Sequence, residues 1–155
     1  MKPSKKCAEL VMHYEGVKLE PYLCPAKIPT IGVGATMYED GTKVKLTDKK
    51  ISVERALELL NFDLNKFGEY VDRYTIEVNQ NQFDALTSFC YNVGPTNFKN
   101  STLLKKVNNN PNDKTIKDEF LKWTRANGKT LTGLVNRRIA ESKLYEKSTK
   151  IQSHT

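Results

Sequence analysis

The stretch from Lys18 to about Leu46 cannot be helical. It contains Pro21, Pro25, Pro29, Gly32, Gly34 and the turn pair Asp40-Gly41. Prolines at this spacing remove backbone donors and clash with the preceding helical turn. Its apolar residues alternate instead, which predicts a small antiparallel sheet with tight turns. On either side the apolar spacing is helical. Ser4 is placed to cap a helix carrying Cys7, Leu10, Val11 and Tyr14 on one stripe, stopped by Gly16. Ser52 opens a long pattern with Val53, Ala56, Leu57, Leu60, Leu64, Phe67 and Val71 as its buried side. Beyond Asn79 the pattern reads as helical to the end. Phe83, Leu86 and Cys90 mark one helix, ended by Gly94-Pro95. Another starts at Ser101 and ends at Asn110-Pro111. Ile116, Phe120 and Trp123 mark a third, and Leu134, Ile139 and Leu144 a last one. The tail from Ser148 is polar and expected to fray. The expected class is therefore α+β: a β-rich lobe over about 15–50, a linking helix over about 52–74 and a helical lobe over about 79–147. A cleft between two such lobes is a common place for an active site.

Several function classes fall away on composition. No apolar run approaches the ~20 residues that span a bilayer, so stable membrane insertion is not expected. The basic start, Met1 to Leu10, is not followed by a signal-peptide core. Cys7, Cys24 and Cys90 are odd in number and widely spaced, which is not a disulfide framework, and no CxxC pair suggests zinc. His13 and His154 are too few and too far apart for a metal site. The formal charge is +7, and residues 101–155 hold 12 basic and 5 acidic groups. Such a surface suits an anionic polymer. No RNP, KH or zinc-finger signature accompanies it, so nucleic acid is not an expected partner.

Residues 15–36 are the densest run of unusual side chains: EGVKLEPYLCPAKIPTIGVGAT. Glu15 falls at a helix C-terminus, whose partial negative charge disfavours a second negative charge. Burial in a cleft would add to the pressure to keep a proton, as a general acid must near neutral pH. The run E-G-x-x-L-x-x-Y-x-C-x5-T-I-G-x-G (Glu15 to Gly34) resembles the active-site signature of the phage-type lysozymes, glycoside hydrolase family 24. The resemblance continues in N-Q-F-D-A-L-T-S-F-C-Y-N-V-G (Asn81 to Gly94), S-T-L-L (Ser101 to Leu104) and F-L-K-W…G-L-V-N-R-R-I-A-E (Phe120 to Glu141). It covers roughly residues 5–146, in the family's order.

This resemblance implies a lysozyme-like fold and cleavage of the β-1,4 bond between N-acetylmuramic acid and N-acetylglucosamine in bacterial peptidoglycan. It implies no cofactor and no metal. By the same carry-over, Glu15 is the general acid, Thr30 positions water or the charged intermediate, and Cys24 occupies a position that is normally Asp. Tyr91, Asn92, Ser101, Gly32 and Gly34 match positions that line the cleft or touch sugar. The family often has His after the T-I-G-x-G run, where this chain has Ala35. A monomer is expected, made in the host cytoplasm and released to the wall through a separate membrane-permeabilising protein.

The exchange at position 24 matters chemically. An Asp of pKa ~3.9 is ionised at pH 7, whereas a thiol of pKa ~8.5 is only about 3% thiolate. Either a cation such as Lys18 or Lys27 lowers the Cys24 pKa, or Glu15 and Thr30 carry more of the work. A disulfide between Cys24 and Cys7 would silence the site. Cys7 and Cys90 otherwise read as small buried hydrophobes, and Trp123 as core. Arg137 and Arg138 fit equally as partners of Glu15 and as surface ion pairs. Three functions stay open on the residues alone: a hydrolytic muramidase, a lytic transglycosylase and a non-catalytic binding module.

Overall fold

The computed structural model describes residues 1–147; the tail expected to fray from Ser148 lies outside the described residues. Helix α1 (Lys5–Glu15) starts where Ser4 Oγ accepts the Lys6 N–H, and it buries Cys7, Ala8 and Val11. At its end Gly16 takes φ +80°, which an L side chain rarely adopts, and turns the chain into β1 (Lys18–Leu23). Strand β1 pairs antiparallel with β2 (Pro29–Gly32), with Tyr22 opposite Thr30. The register slips between Lys18 and Tyr22, the stretch that holds Pro21, consistent with a proline's tolerance for irregular pairing. The sheet is smaller than the alternation suggests. Past β2 only two isolated bridges form, Ile31 with Ala35 and Met37 with Lys43. The loop to residue 52 is held by side chains instead: the Tyr38 hydroxyl donates to Asp48, and Arg55 grips both carboxylate oxygens of Glu39.

The linking helix α2 (Val53–Tyr74) has 22 residues, about 33 Å at 1.5 Å per residue. Ser52 caps it as expected. Its buried side includes Ala56, Leu60, Leu64 and Val71 as read from the sequence, with Leu57 and Phe67 partly buried against the core. Leu59 and Gly68 are buried as well, whereas Val53, the first residue of the helix, is 46% exposed.

Helix α3 (Gln80–Val93) is the centre of the molecule. Residues 81–90 are all buried, because α1, α2, α4 (Pro95–Lys99) and α7 (Thr132–Glu146) surround it. Asn79 and Gln82 close its N-terminus as a reciprocal capping box. Phe89 packs edge-on against Phe98, Phe120 and Trp123, which bears out the core reading of Trp123. Helices α5 (Thr102–Asn109) and α6 (Ile116–Phe120) complete the lobe.

Two features of this lobe differ from the sequence reading. Residues 125–130 form a hairpin, β3 (Arg125–Ala126) with β4 (Lys129–Thr130), inside a region read as helical. Its turn is Asn127-Gly128, both with positive φ, the dipeptide that such a two-residue turn favours. Leu134, Ile139 and Leu144 do lie on helix α7, but only Leu144 packs, partly buried, against the core, and they are not what forms its buried face. That face is Arg137, Arg138, Glu141, Ser142 and Tyr145.

Leu86→Ala should therefore cost about 2–5 kcal/mol, since the fully buried site in α3 cannot collapse. Asn79→Ala should cost about 1 kcal/mol, the worth of one cap. Urea unfolding midpoints, with slopes unchanged, check both.

Candidate active site

A cleft of about 530 Å³ opens where four elements converge, and Glu15, Gly34, Asp63, Lys66, Phe67, Tyr91 and Asn92 line it. Glu15 closes α1. Its side chain is 33% exposed, so it is less buried than the sequence argument supposed. What dominates its surroundings is Arg137 of α7, whose Nη1 donates to Glu15 Oε2 at 2.6 Å. Among the described residues nothing hydrogen-bonds Oε1.

Arg137 itself is 2% exposed and fully engaged. Its Nε donates to Glu141 Oε2 at 3.2 Å and its Nη2 to the Ser88 carbonyl at 3.1 Å. Arg138, 1% exposed, donates from Nη1 to Glu141 Oε1 at 2.6 Å, from Nε to the Trp123 carbonyl at 2.9 Å, and from Nη2 to Asn92 Oδ1. It also lies over the Phe89 ring at 5.0 Å. Burial pulls its guanidinium below the ordinary value, and Glu141 opposes that shift. Ser88 Oγ donates to Glu141 Oε2 at 2.6 Å, completing the shell of the fully buried carboxylate. The arginines are thus neither surface pairs nor free. They form a buried lattice that ends, at the cleft, on Glu15.

Cys24 and Thr30 are not among the residues that line this cleft; they lie at the turn end of the β1–β2 hairpin. The turn is pinned by Cys24 N–H to the Ile28 carbonyl at 3.1 Å and Lys27 N–H to the Cys24 carbonyl at 2.7 Å. Lys27 takes φ +63°. The Cys24 thiol is shifted below its ordinary pKa, first by the Ile28 N–H, then by the Ala26 N–H and the Thr30 hydroxyl. The cations expected to do this, Lys18 and Lys27, do not contribute. Thr30 is buried and its Oγ1 also lies 2.8 Å from the Ile28 carbonyl, to which it donates. Its one hydrogen serves either acceptor, so the backbone N–H groups are the steadier influence on sulfur. Desolvation raises the Tyr22 phenol, and the negative charges of Cys24 and Glu15 raise it further. All three thiols are free. Cys7 is fully enclosed in the α1 core, its thiol pushed up by burial and by Asp84, so the expected partnership with Cys24 would require it to leave that core.

The remaining sequence candidates divide. Tyr91 lines the cleft, with its hydroxyl donating to the Val33 carbonyl at 3.0 Å and its ring edge-on to Phe67 at 5.1 Å. Asn92 lines it too, held by Arg138. Gly34 is on the wall, where an added Cβ would meet the Tyr91 hydroxyl at 3.5 Å. Gly32 is not. It packs on Ala56 of α2 and serves the hairpin, not a ligand. Ser101 is also elsewhere: it is the buried cap of α5, its hydroxyl donating to the Phe98 carbonyl and accepting the Leu104 N–H. Asp63, Lys66 and Phe67 were missed, because from sequence they belong to the polar and apolar faces of a linking helix. Glu141 and Ser88 were missed as well, although Arg137-Arg138-x-x-Glu141 has i,i+3 and i,i+4 spacing. Among the described residues no group of three or more His, Cys, Asp or Glu is arranged to hold a metal ion.

Glu141→Ala should destabilise the protein by about 3–5 kcal/mol, because it leaves two buried guanidinium groups without their shared anion. Breaking the half-exposed Arg55–Glu39 pair by Arg55→Ala should cost under about 1 kcal/mol. Chemical denaturation of the two variants compares them directly.

The model of the family described as Phage lysozyme matches residues 12–141. Among curated relatives, the endolysin of Bacillus phage B103 is 38% identical over 148 residues, 94% of this chain. This chain spans only 54% of that relative's length. The endolysin of Acyrthosiphon pisum secondary endosymbiont phage 1 is 36% identical, covering 92% of this chain and 97% of the relative. Among solved structures, a mutant lysozyme of phage P22 superposes with a TM-score of 0.85 at 33% identity, covering 95% of this chain and 99% of that one. Profile, relatives and fold agree over the same residues that build the cleft, and the chain belongs to the phage lysozyme family.

Proposed function

We propose that the chain is a muramidase-type endolysin that hydrolyses the β-1,4 bond between N-acetylmuramic acid and N-acetylglucosamine in bacterial peptidoglycan, lysing the host cell. The observation that carries this reading is Glu15. Its Oε2 is gripped by the buried Arg137 at 2.6 Å, the residue lines a cleft of about 530 Å³, and among the described residues nothing hydrogen-bonds its Oε1. In the proposed reaction, protonated Glu15 gives its proton to the glycosidic oxygen as the C1–O bond breaks and its electrons pass to that oxygen. Water adds to C1, held by Thr30 and deprotonated by the Cys24 thiolate. Proton exchange with solvent then resets both groups. The Ile28 and Ala26 N–H groups make the thiolate more available than in a free cysteine, which favours this role for Cys24. Tyr91, Asn92 and Gly34 would shape the sugar site, whereas Ser101 and Gly32 are left out because their positions are used for packing and capping.

The net charge of +7 suits an anionic wall. No helix among the described residues is long and apolar enough to cross a membrane. We further propose a monomer with no nucleic-acid partner, made in the host cytoplasm and reaching the wall through a separate membrane-permeabilising protein.

In a turbidity assay on permeabilised Gram-negative cells, Glu15→Gln should lower activity by at least about 100-fold with the fold retained by circular dichroism. Lysis at the wild-type rate would point to a binding module. Muropeptides ending in anhydro-muramic acid would mean a transglycosylase instead. Iodoacetamide should label Cys24 alone in the native protein, since Cys7 and Cys90 are fully buried. The labelling rate should reach half its maximum at a lower pH than for a free thiol, and the product should lose activity. Mass spectrometry across a pH series reads each of these.

A further inference from the structure

Asp63 is the one acidic side chain in the cleft that the proposed reaction does not use. It projects from the middle of α2, shares the 530 Å³ cleft with Glu15 and Tyr91, and is 24% exposed. Among the described residues its carboxylate makes no hydrogen bond. Its only cationic neighbour is Lys66, with Nζ 3.9 Å away, at the limit of an ion pair and more than half exposed. The Lys66 ammonium sits instead over the Phe62 ring at 4.6 Å.

A carboxylate three-quarters removed from water normally finds donors, because its desolvation is otherwise uncompensated. This one is desolvated enough for its pKa to rise, with Lys66 opposing the rise and Glu39 adding slightly to it. Among the described residues the fully buried acids are all satisfied. Asp84 accepts from Ser4 N–H and Gln80, Glu119 from Lys106 and Lys122, and Glu141 from two arginines and a serine. Beside Asp63 the cleft wall is apolar, formed by the Phe67 and Tyr91 rings at 5.1 Å. An acceptor flanking an aromatic wall matches one residue of an N-acetylated amino sugar, with its apolar C–H face and its donors on the rim.

We infer that Asp63 is a substrate-binding residue, whose free carboxylate accepts hydrogen bonds from a hydroxyl or acetamido N–H of the sugar lying against Phe67 and Tyr91. This rests on the reading of the cleft as a glycan site. It differs from that reading in giving α2, and not only the hairpin and α3, a share in holding substrate. The sugar supplies the donors that the protein withholds, so the partly desolvated carboxylate gains charge-assisted hydrogen bonds in the complex.

The test separates binding from turnover. In the Glu15→Gln background, calorimetric titration with the soluble pentamer of N-acetylglucosamine should show Asp63→Ala raising Kd about tenfold, the loss expected for a charge-assisted hydrogen bond. Asp63→Asn, which keeps an acceptor, should recover part of that loss. On otherwise wild-type protein, Asp63→Ala should raise KM for peptidoglycan by a similar factor with kcat within about threefold. Thermal midpoints should stay near those of the parents, since no internal hydrogen bond is removed. Equal Kd for parent and Asp63→Ala, or no binding by the parent, overturns the inference. Full lysis by Glu15→Gln would instead overturn the hydrolase reading and leave the Asp63 titration standing.

Discussion

The molecule depends on one buried electrostatic arrangement. Two guanidinium groups, Arg137 and Arg138, share the fully buried Glu141 across one turn of α7. Two cations against one anion is not a balanced interior, and desolvation makes imbalance costly. Arg137 also reaches the Glu15 carboxyl, 122 residues away along the chain. The fold therefore anchors the proposed general acid to the charged network of its own core. Through Ser88 and Asn92 the same arrangement ties α3 to α7, and through Glu15 it ties the end of α1 to both. Side-chain position at the cleft is thus set by a rigid interior, not by a loop.

That rigidity has a chemical use. A general acid must hold one oxygen still while the other reaches the leaving group. A bond to Oε2 from a guanidinium that is itself locked by three further contacts leaves Oε1 free in a defined place. The hairpin beside it is built differently. Cys24 and Thr30 sit on a short hairpin whose turn is kept by backbone hydrogen bonds, with Lys27 in the left-handed region. A thiol there has no formal charge to offer unless its surroundings favour ionisation. The nearby N–H groups do so without any lysine, in the manner of an anion-binding turn. The cleft thus holds a charge-locked carboxyl, and the thiol tuned by backbone dipoles sits on the neighbouring hairpin.

Much of the fold was legible in the chain because its signals are local. Ser4, Ser52, Asn79 and Ser101 all cap the helices they precede. The proline-rich segment could not be helical, and the strands follow from that. The Asn127-Gly128 hairpin was legible too, but it was overridden by the helical text around it. The motif from Glu15 to Gly34 marked the site region, and Glu15, Gly34, Tyr91 and Asn92 do converge on one cleft. Ser101 and Gly32 carry the right neighbours in sequence but turn away, because a cap hydroxyl and a glycine packed on Ala56 are already occupied.

What the sequence determined by itself is most of the order of elements and the segment that holds Glu15 at the end of α1, since capping, proline geometry and a short motif act within a few residues. What only the tertiary structure decided is which charges meet. Arg137 and Arg138 could not be assigned to the interior from a helix with almost no apolar stripe, because their burial is compensated by Glu141 one turn along α7 together with Ser88 and Glu15 arriving from α3 and α1. Asp63 looked like an ordinary polar residue of a linking helix until the cleft closed around it. Coulombic pairing and desolvation depend on distance in space, and a linear chain does not contain that distance.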